Sequence, residues 1–341
     1  MHSSLDQALQ FIPRLPLLDG PTPIQRATRL EQALRQYAKG VGIYLKRDDH
    51  MSIGGGGNKL RKLEYLLGRS VEERIDTVIT VGGVQSNHAR LTAATCARLG
   101  LDCELILTRA VPKSDTDYAL NGNVLLDQLF GARMEIHPAG TDSVALAQAR
   151  AAQLAAAGRK AVVIPTGGST PLGALGYARC AAEIADQEPQ FGVTFNQVIV
   201  PNGSAGTHAG LAAGFALLGR DPAQVRSFAV LADQATAIDK TRQLLDATLA
   251  LLGADASTAA PNIDGRQLGS GYGLPTQEML DAVRLMARSE GLLLDPVYSG
   301  KAFAGLLNDL REGRYQPGDN VLFIMTGGAP GLYAYRETFQ G

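Results

Sequence analysis

Lys59 closes a glycine run, Gly54-Gly55-Gly56-Gly57-Asn58-Lys59, and the apolar residues behind it (Leu60, Leu63, Leu67) recur at helical spacing. Glycines let the backbone turn tightly and leave room for a planar ligand, so this amine is placed to condense with a carbonyl. Read alone, the stretch is more simply a flexible turn carrying a solvated lysine. A second stretch, Gly203-Ser204-Ala205-Gly206-Thr207-His208-Ala209-Gly210, lies between an apolar strand and a helix. Small residues there permit close backbone approach, and the N–H groups at the positive helix end favour a phosphate dianion. The loop lacks GxGxxG, and no acidic residue follows about 20 positions on to suit a ribose. It is not GxxxxGK followed by Ser or Thr, which argues against nucleoside triphosphate hydrolysis. A single phosphate on a small cofactor fits it better. Ser86, Asn87 and His88 form a polar turn before a helix, suited to gripping a carboxylate, although Ser86 alone is also an ordinary helix cap.

These groups need elements to hold them. Residues 1–23 are punctuated by proline and read as an irregular arm, followed by helical spacing at Ala27, Leu30, Leu34 and Tyr37 that Gly40 closes. GIYLKRDD then reads as a short strand whose charged end, Lys46 to Asp49, pairs locally or supports the nearby glycine run. From residue 76 the alternation is regular. Strands at 76–83, 102–108 and 161–168, with helices at 85–100 and through Ala157, make one small doubly wound lobe over residues 54–164. A second series, from the helix near Leu175 to the strand NVLFIMTGG at 320–328, joins residues 1–53 in a larger lobe over 165–341. Residues 254–274 are the least regular and are placed to cross the cleft. In open parallel sheets ligands gather beyond the carboxyl ends of strands, and here several strand ends carry glycine and hydroxyl residues.

The bulk properties limit the partners. A chain of 341 residues exceeds the size at which one core usually stops growing, so two lobes are expected. A net charge of −1 gives no overall pull toward nucleic acid or an anionic membrane. No apolar run reaches the roughly 18 residues that span a bilayer, and the first residues lack the pattern of a signal peptide, so a cytoplasmic location is expected. Cys96, Cys103 and Cys180 are too scattered for a CxxC site and read as buried thiols. His2, His50, His88, His137 and His208 show no metal-ligand spacing, so no metal is expected.

A lysine beside a glycine turn, with a distant monophosphate loop, is what a pyridoxal phosphate site requires. The segments GGGGNKLRKLEYLL, GGVQSNHARLTAATCARLG, NGSAGTHAGLAAG, GYGLPTQEMLDAVRLMARSEGLLLDPVYSGKAFAGLL and VLFIMTGGAPGLYAY resemble, in order, the D-cysteine desulfhydrase and 1-aminocyclopropane-1-carboxylate deaminase family of fold-type II pyridoxal phosphate enzymes. The resemblance runs from about residue 42 to 336. It implies an α/β fold of the tryptophan synthase beta-like type: two doubly wound open parallel-sheet domains with pyridoxal 5'-phosphate in the cleft, and a homodimer. It makes Lys59 the Schiff-base lysine, with Lys62 helping to hold the phosphate beside Gly203, Ser204, Ala205, Gly206 and Thr207. It places Asn87 on the phenolic oxygen and Thr326 on the pyridine nitrogen. A neutral hydroxyl there makes the ring a weaker electron sink than a carboxylate would, which suits elimination. Ser86 joins proton transfer, and Tyr272 and Tyr298 match two tyrosines near the cofactor; without the match each is an ordinary half-buried aromatic.

The cyclopropane deaminases resemble DPVYEGK where this chain has Ser299, which argues against ring opening. The expected reaction is therefore α,β-elimination from a small D-amino acid, D-cysteine giving pyruvate, ammonia and hydrogen sulfide. The alternatives are an L-cysteate sulfo-lyase and a pyridoxal phosphate or amino-acid binding protein without turnover. The family usually shows two glycines before the asparagine and this chain has four, so a looser approach to the lysine is also expected.

Overall fold

Short, mostly apolar segments become strands, and the central ones are buried on both faces. In the computed structural model, which describes residues 4–340, the strands are β1 (Ile24–Arg26), β2 (Gly42–Lys46), β3 (Thr77–Gly83), β4 (Asp102–Thr108), β5 (Arg133–His137), β6 (Ala161–Ile164), β7 (Gln197–Asn202), β8 (Val225–Ala229), β9 (Asn262–Asp264) and β10 (Asn320–Ile324). They form two sheets, in the orders β1-β2-β10-β7-β8-β9 and β5-β4-β3-β6. All pairings are parallel except that of β1 with β2. β10 shows why both faces need cover. Leu322 and Ile324 enter one core with the helices Pro171–Phe191 and Gly206–Leu217, whereas Val321 and Phe323 enter another with the helices Gln277–Glu290 and Ser299–Arg311. In the smaller sheet Val78, Leu105 and Leu107 pack beneath the helices Lys59–Leu66 and Asn87–Leu99, and Ile79, Val81 and Ile106 pack beneath Ser143–Ala156.

Three helices stack with almost no side chain between them, and this stack sets the distance from the lysine to the phosphate loop. A Cβ on Gly176 would lie 2.1 Å from the Arg61 carbonyl oxygen, and one on Gly210 would lie 2.1 Å from that of Ala174. Glycine at these helical positions costs about 1 kcal/mol in propensity but lets the backbones touch. The Lys59–Leu66 helix is also fastened by charge. Asp48, fully buried, accepts from Arg61 Nε (2.9 Å) and Nη2 (2.8 Å), from Thr22 Oγ1 (2.8 Å) and from the Tyr177 hydroxyl (2.5 Å). Of the charged cluster after β2, then, Arg47 and Asp49 pair locally, whereas Asp48 supports the lysine helix.

Several expectations are revised. The N-terminal arm contains a helix, Ser4–Leu9, because Leu5 and Leu9 one turn apart enter the large core. The helical spacing from Ala27 to Tyr37 is divided into Thr28–Ala33 and Arg35–Ala38, where buried Leu34 leaves helical geometry at φ −97°, ψ 8°. The irregular segment 254–274 contributes β9, which pairs with β8 at the sheet edge.

Candidate active site

The carboxyl ends of β3, β4, β6, β7, β8 and β10 converge on a cavity of about 200 Å3. Its walls include Asn58, Lys59, Ser86, Asn87, His88, Gly203 to Thr207, Tyr272, Tyr298 and Thr326. The structure thus brings together the site residues expected from the sequence except Lys62, which stands behind the wall. Lys62 Nζ donates to the Gly167 carbonyl (3.0 Å) and to Ser169 Oγ (2.9 Å), and Ser169 Oγ is 2.7 Å from Ser204 Oγ. Gly206 leaves the room for this: a Cβ there would lie 2.6 Å from Lys62 Nζ. Beside it Ala205 holds φ at +68°, a left-handed conformation costing an alanine on the order of 1 kcal/mol and aiming the loop at the N-terminus of the Gly206–Leu217 helix.

The glycine run is tightly packed. A Cβ on Gly54 would meet that of Ala94 at 2.6 Å, and one on Gly56 would meet the Asp49 carbonyl oxygen at 2.1 Å. The expected looser approach to the lysine is therefore corrected at Gly54, Gly56 and Gly57, which pack against the Asn87–Leu99 helix and the Asp49–Met51 backbone, whereas a Cβ on Gly55 would meet nothing within 4 Å. Lys59 Nζ donates to Asn58 Oδ1 (3.0 Å), and Asn58 Nδ2 donates to Thr207 Oγ1 (3.1 Å), so one asparagine links the amine to the phosphate loop. Burial pushes the Lys59 ammonium down to about 8, with Asp295 opposing and Arg90 adding to the shift. Burial and the nearby Lys59 charge push Lys62 down well below the ordinary lysine value. Two crowded amines beside a helix N-terminus make this end of the cavity a seat for an anion.

The opposite wall is neutral. Ser86 Oγ accepts from Ala89 N (3.1 Å) as the helix cap, which leaves its O–H free to donate. Asn87 Oδ1 accepts from Asn123 Nδ2 (3.0 Å) and more weakly from Arg90 Nη1 (3.4 Å), so its Nδ2 is the group left to donate. The His88 ring is turned into the sheet. Thr80 Oγ1 donates to the Ile164 carbonyl (2.8 Å), so His88 Nε2, 2.9 Å away, carries the hydrogen that Thr80 accepts. Burial first, then Lys59 and Lys62, hold His88 neutral. The Tyr272 and Tyr298 hydroxyls are 2.6 Å apart, and burial raises both, so the pair is protonated near neutral pH.

Sequence reading passed over Asn58, Arg90, Asn123, Asp295 and Lys301. Asp295 Oδ1 accepts from the amides of Val297 (2.9 Å) and Tyr298 (2.7 Å), and Oδ2 accepts from Ser299 N (2.9 Å) and Ser299 Oγ (2.6 Å). Ser299 therefore faces Asp295. Lys301 Nζ donates to the carbonyls of Leu268 (2.7 Å) and Gly271 (3.1 Å), fastening the segment that bears Tyr272. An arginine flanked by Ala89 and Leu91 just after the Ser86–His88 turn, and an aspartate ahead of the VYSG turn, are signals by which two of these were open to detection.

Residues 15–327 match the family model described as pyridoxal-phosphate dependent enzyme. The chain is 42% identical over 334 residues to a D-cysteine desulfhydrase of Serratia proteamaculans (strain 568), covering 97% of this chain and 98% of the relative. It is 44% identical over 329 residues to one of Salmonella choleraesuis (strain SC-B67), covering 96% and 97%. A crystal structure of an ACC deaminase homologue superposes with a TM-score of 0.88 at 38% identity, covering 99% of each chain. The processed form of threonine deaminase isoform 2 from Solanum lycopersicum shares the fold, with a TM-score of 0.62 at 17% identity over 95% of this chain and 84% of that one. The site suits such a cofactor: an anion seat at one end, an amine with depressed basicity, an amide donor on one wall and a neutral threonine at the end of β10.

Proposed function

Because the chain belongs to the pyridoxal-phosphate dependent enzymes, we propose that it is a lyase removing the β-substituent of a small D-amino acid, with D-cysteine and water giving pyruvate, ammonia and hydrogen sulfide. Lys59 would hold the cofactor's aldehyde carbon. Lys62 and the loop from Gly203 to Thr207 would hold its phosphate, Asn87 its phenolic oxygen and Thr326 its ring nitrogen. Pyridoxal phosphate, when bound, supplies an electrophilic carbon and an electron sink that weakens bonds at the substrate's α-carbon. Everything else falls to the chain. The Ser86–His88 turn, at the N-terminus of the Asn87–Leu99 helix, receives the substrate carboxylate. Once free, Lys59 takes the α-proton, its lowered basicity keeping a working fraction unprotonated near neutral pH. The Tyr272 and Tyr298 pair, assisted by Ser86 in the same cavity, delivers a proton to the departing thiolate.

The observation that carries this reading is the union of Lys59, the anion seat and the paired tyrosines in one cavity. A sulfonate substrate is poorly served. Apart from Lys59 and neutral His88, the cavity lining holds no basic side chain among the described residues, so a second anionic group finds no counter-charge. The lobes divide as 1–53 with 165–341 and 54–164, supported by the strands: β1, β2 and β7 to β10 fall in the first set and β3 to β6 in the second. The protein acts as a homodimer in the cytoplasm. Leu120, Leu125 and Leu129, at 60%, 42% and 70% exposure, support a face for a second copy, and three buried free thiols support a reducing compartment. No helix among the described residues is long and apolar enough to cross a membrane.

The test is a panel of D-cysteine, L-cysteine, L-cysteate, β-chloro-D-alanine and 1-aminocyclopropane-1-carboxylate, with pyruvate and 2-oxobutyrate measured. Pyruvate from D-cysteine and β-chloro-D-alanine is expected. 2-Oxobutyrate from the cyclopropane, or pyruvate from L-cysteate alone, would replace the reading with one of the other two lyases. Bound cofactor with no product from any of them would leave a binding protein.

A further inference from the structure

Arg90 is the largest of the fully buried side chains. A buried guanidinium is expected to face a carboxylate. This one has no ion pair within 4.0 Å among the described residues, and its bonds go to neutral oxygens in three elements of the site. Nη2 donates to the Gly56 carbonyl (2.7 Å) in the run that bears Lys59. Nη1 donates to Asn123 Oδ1 (3.0 Å) and, at longer range, to Asn87 Oδ1 (3.4 Å). Asn123 is fixed in turn, its amide N–H donating to Gln85 Oε1 (2.9 Å) and its Nδ2 to the Gln85 carbonyl (3.1 Å) and to Asn87 Oδ1.

We propose that Arg90 is a positioning residue that acts through Asn87: it fixes the amide with Nδ2 toward the cavity and polarises it as a donor to an anionic oxygen of the bound cofactor. This rests on the assignment of Asn87 to the phenolic oxygen. The physical basis is the direction of the donors. With cationic and amide N–H groups on its oxygen, the Asn87 amide cannot flip without setting its own NH2 against Arg90 and Asn123. The charge behind the oxygen draws electron density from the nitrogen, which strengthens the N–H as a donor. The same charge stands near Lys59 and contributes to its lowered basicity. Only a residue whose charge is kept when buried serves here. Burial pushes Arg90 down to about 10, still cationic at neutral pH, whereas a lysine in this position is more easily neutralised.

The experiment compares the holoenzyme with Arg90→Met and Arg90→Lys, following the pH titration of the visible absorbance of the lysine-bound cofactor and the Kd for pyridoxal phosphate. Borohydride trapping on Lys59 in the unmodified protein checks that the cofactor occupies this cavity, and Asn87→Ala, which should shift the same titration if Asn87 meets the phenolic oxygen, checks that assignment, so failure of either is distinguishable from failure here. In Arg90→Met the absorbance titration is expected to move up by about one pH unit, because the deprotonated chromophore loses a stabilising cation, and the Kd to rise about tenfold. Arg90→Lys is expected to fall between. A Met variant that titrates and binds as the unmodified protein does would overturn the proposal. Should that variant not fold, Asn123→Asp, which leaves the guanidinium in place and sets a carboxylate against it, must raise the titration as well; an unchanged titration there would overturn it too.

Discussion

Replacing Asp127 by asparagine should stabilise the fold by an amount that grows with pH. Asp127 lies in the helix Asn123–Leu129, is fully buried, and neither carboxyl oxygen has a hydrogen-bond partner among the described residues. Burial pushes its pKa from 3.8 up to about 8, while the Arg90 charge only partly opposes it. The folded state therefore holds this proton more tightly than the unfolded chain does. Stability is fully present below about pH 4 and is lost as pH rises toward the folded value, beyond which the loss is constant. The gap, 8 less 3.8, is about four pH units. At ~1.4 kcal/mol per unit, the penalty has a ceiling of about 6 kcal/mol at pH 8 and a slope of at most ~1.4 kcal/mol per pH unit below it. Between pH 5 and pH 8 the difference between Asp127→Asn and the unmodified protein should widen by a few kcal/mol. Urea unfolding of the cofactor-free proteins at five values from pH 5 to pH 9 measures it. Curves that run parallel over that range would refute the assignment of Asp127 as an unpartnered buried carboxyl.

Other substitutions read the supports of the site. Asp48→Ala leaves the buried Arg61 with Glu183 alone (2.7 Å) and takes the acceptor from Tyr177, which should cost about 1 to 3 kcal/mol in chemical denaturation, with cofactor retention falling because the Lys59 helix loses part of its tether. Lys301→Met removes both carbonyl contacts from the 268–271 segment. Amide exchange there should quicken and kcat should fall about tenfold to a hundredfold through misplacement of Tyr272, with cofactor affinity unchanged; equal exchange in both proteins would exclude that positioning role. Tyr298→Phe should lower kcat about 10²-fold to 10³-fold with a normal cofactor spectrum, and a variant turning over at the original rate would remove the tyrosine pair from proton delivery.

The strand ends and their small residues were legible in the sequence because their chemistry is local: Lys59 with its glycine run, the loop from Gly203 to Thr207, and the Ser86–His88 turn each lie within a few residues. The supports were not, because they act across the fold. Arg90 meets Gly56 34 residues away, and Lys301 meets Leu268 33 residues away, distances at which no periodicity carries information. The Asn123–Leu129 helix misleads in a more specific way. Its polar residues Asn123 and Asp127 are buried and its Leu125 and Leu129 face outward, the reverse of an ordinary amphipathic helix, because Asn123 is needed by Asn87 and Gln85. Helix breaks such as that at Leu34 follow from where the chain must turn next, which spacing alone does not encode.

Pyruvate release from D-cysteine by the unmodified protein and by Lys59→Ala, recorded together with the visible absorbance of the bound cofactor, tests the central claim most directly. The cavity geometry predicts steady pyruvate and a lysine-linked absorbance in the first, and neither in the second. A Lys59→Ala protein that still released pyruvate at the original rate would contradict it.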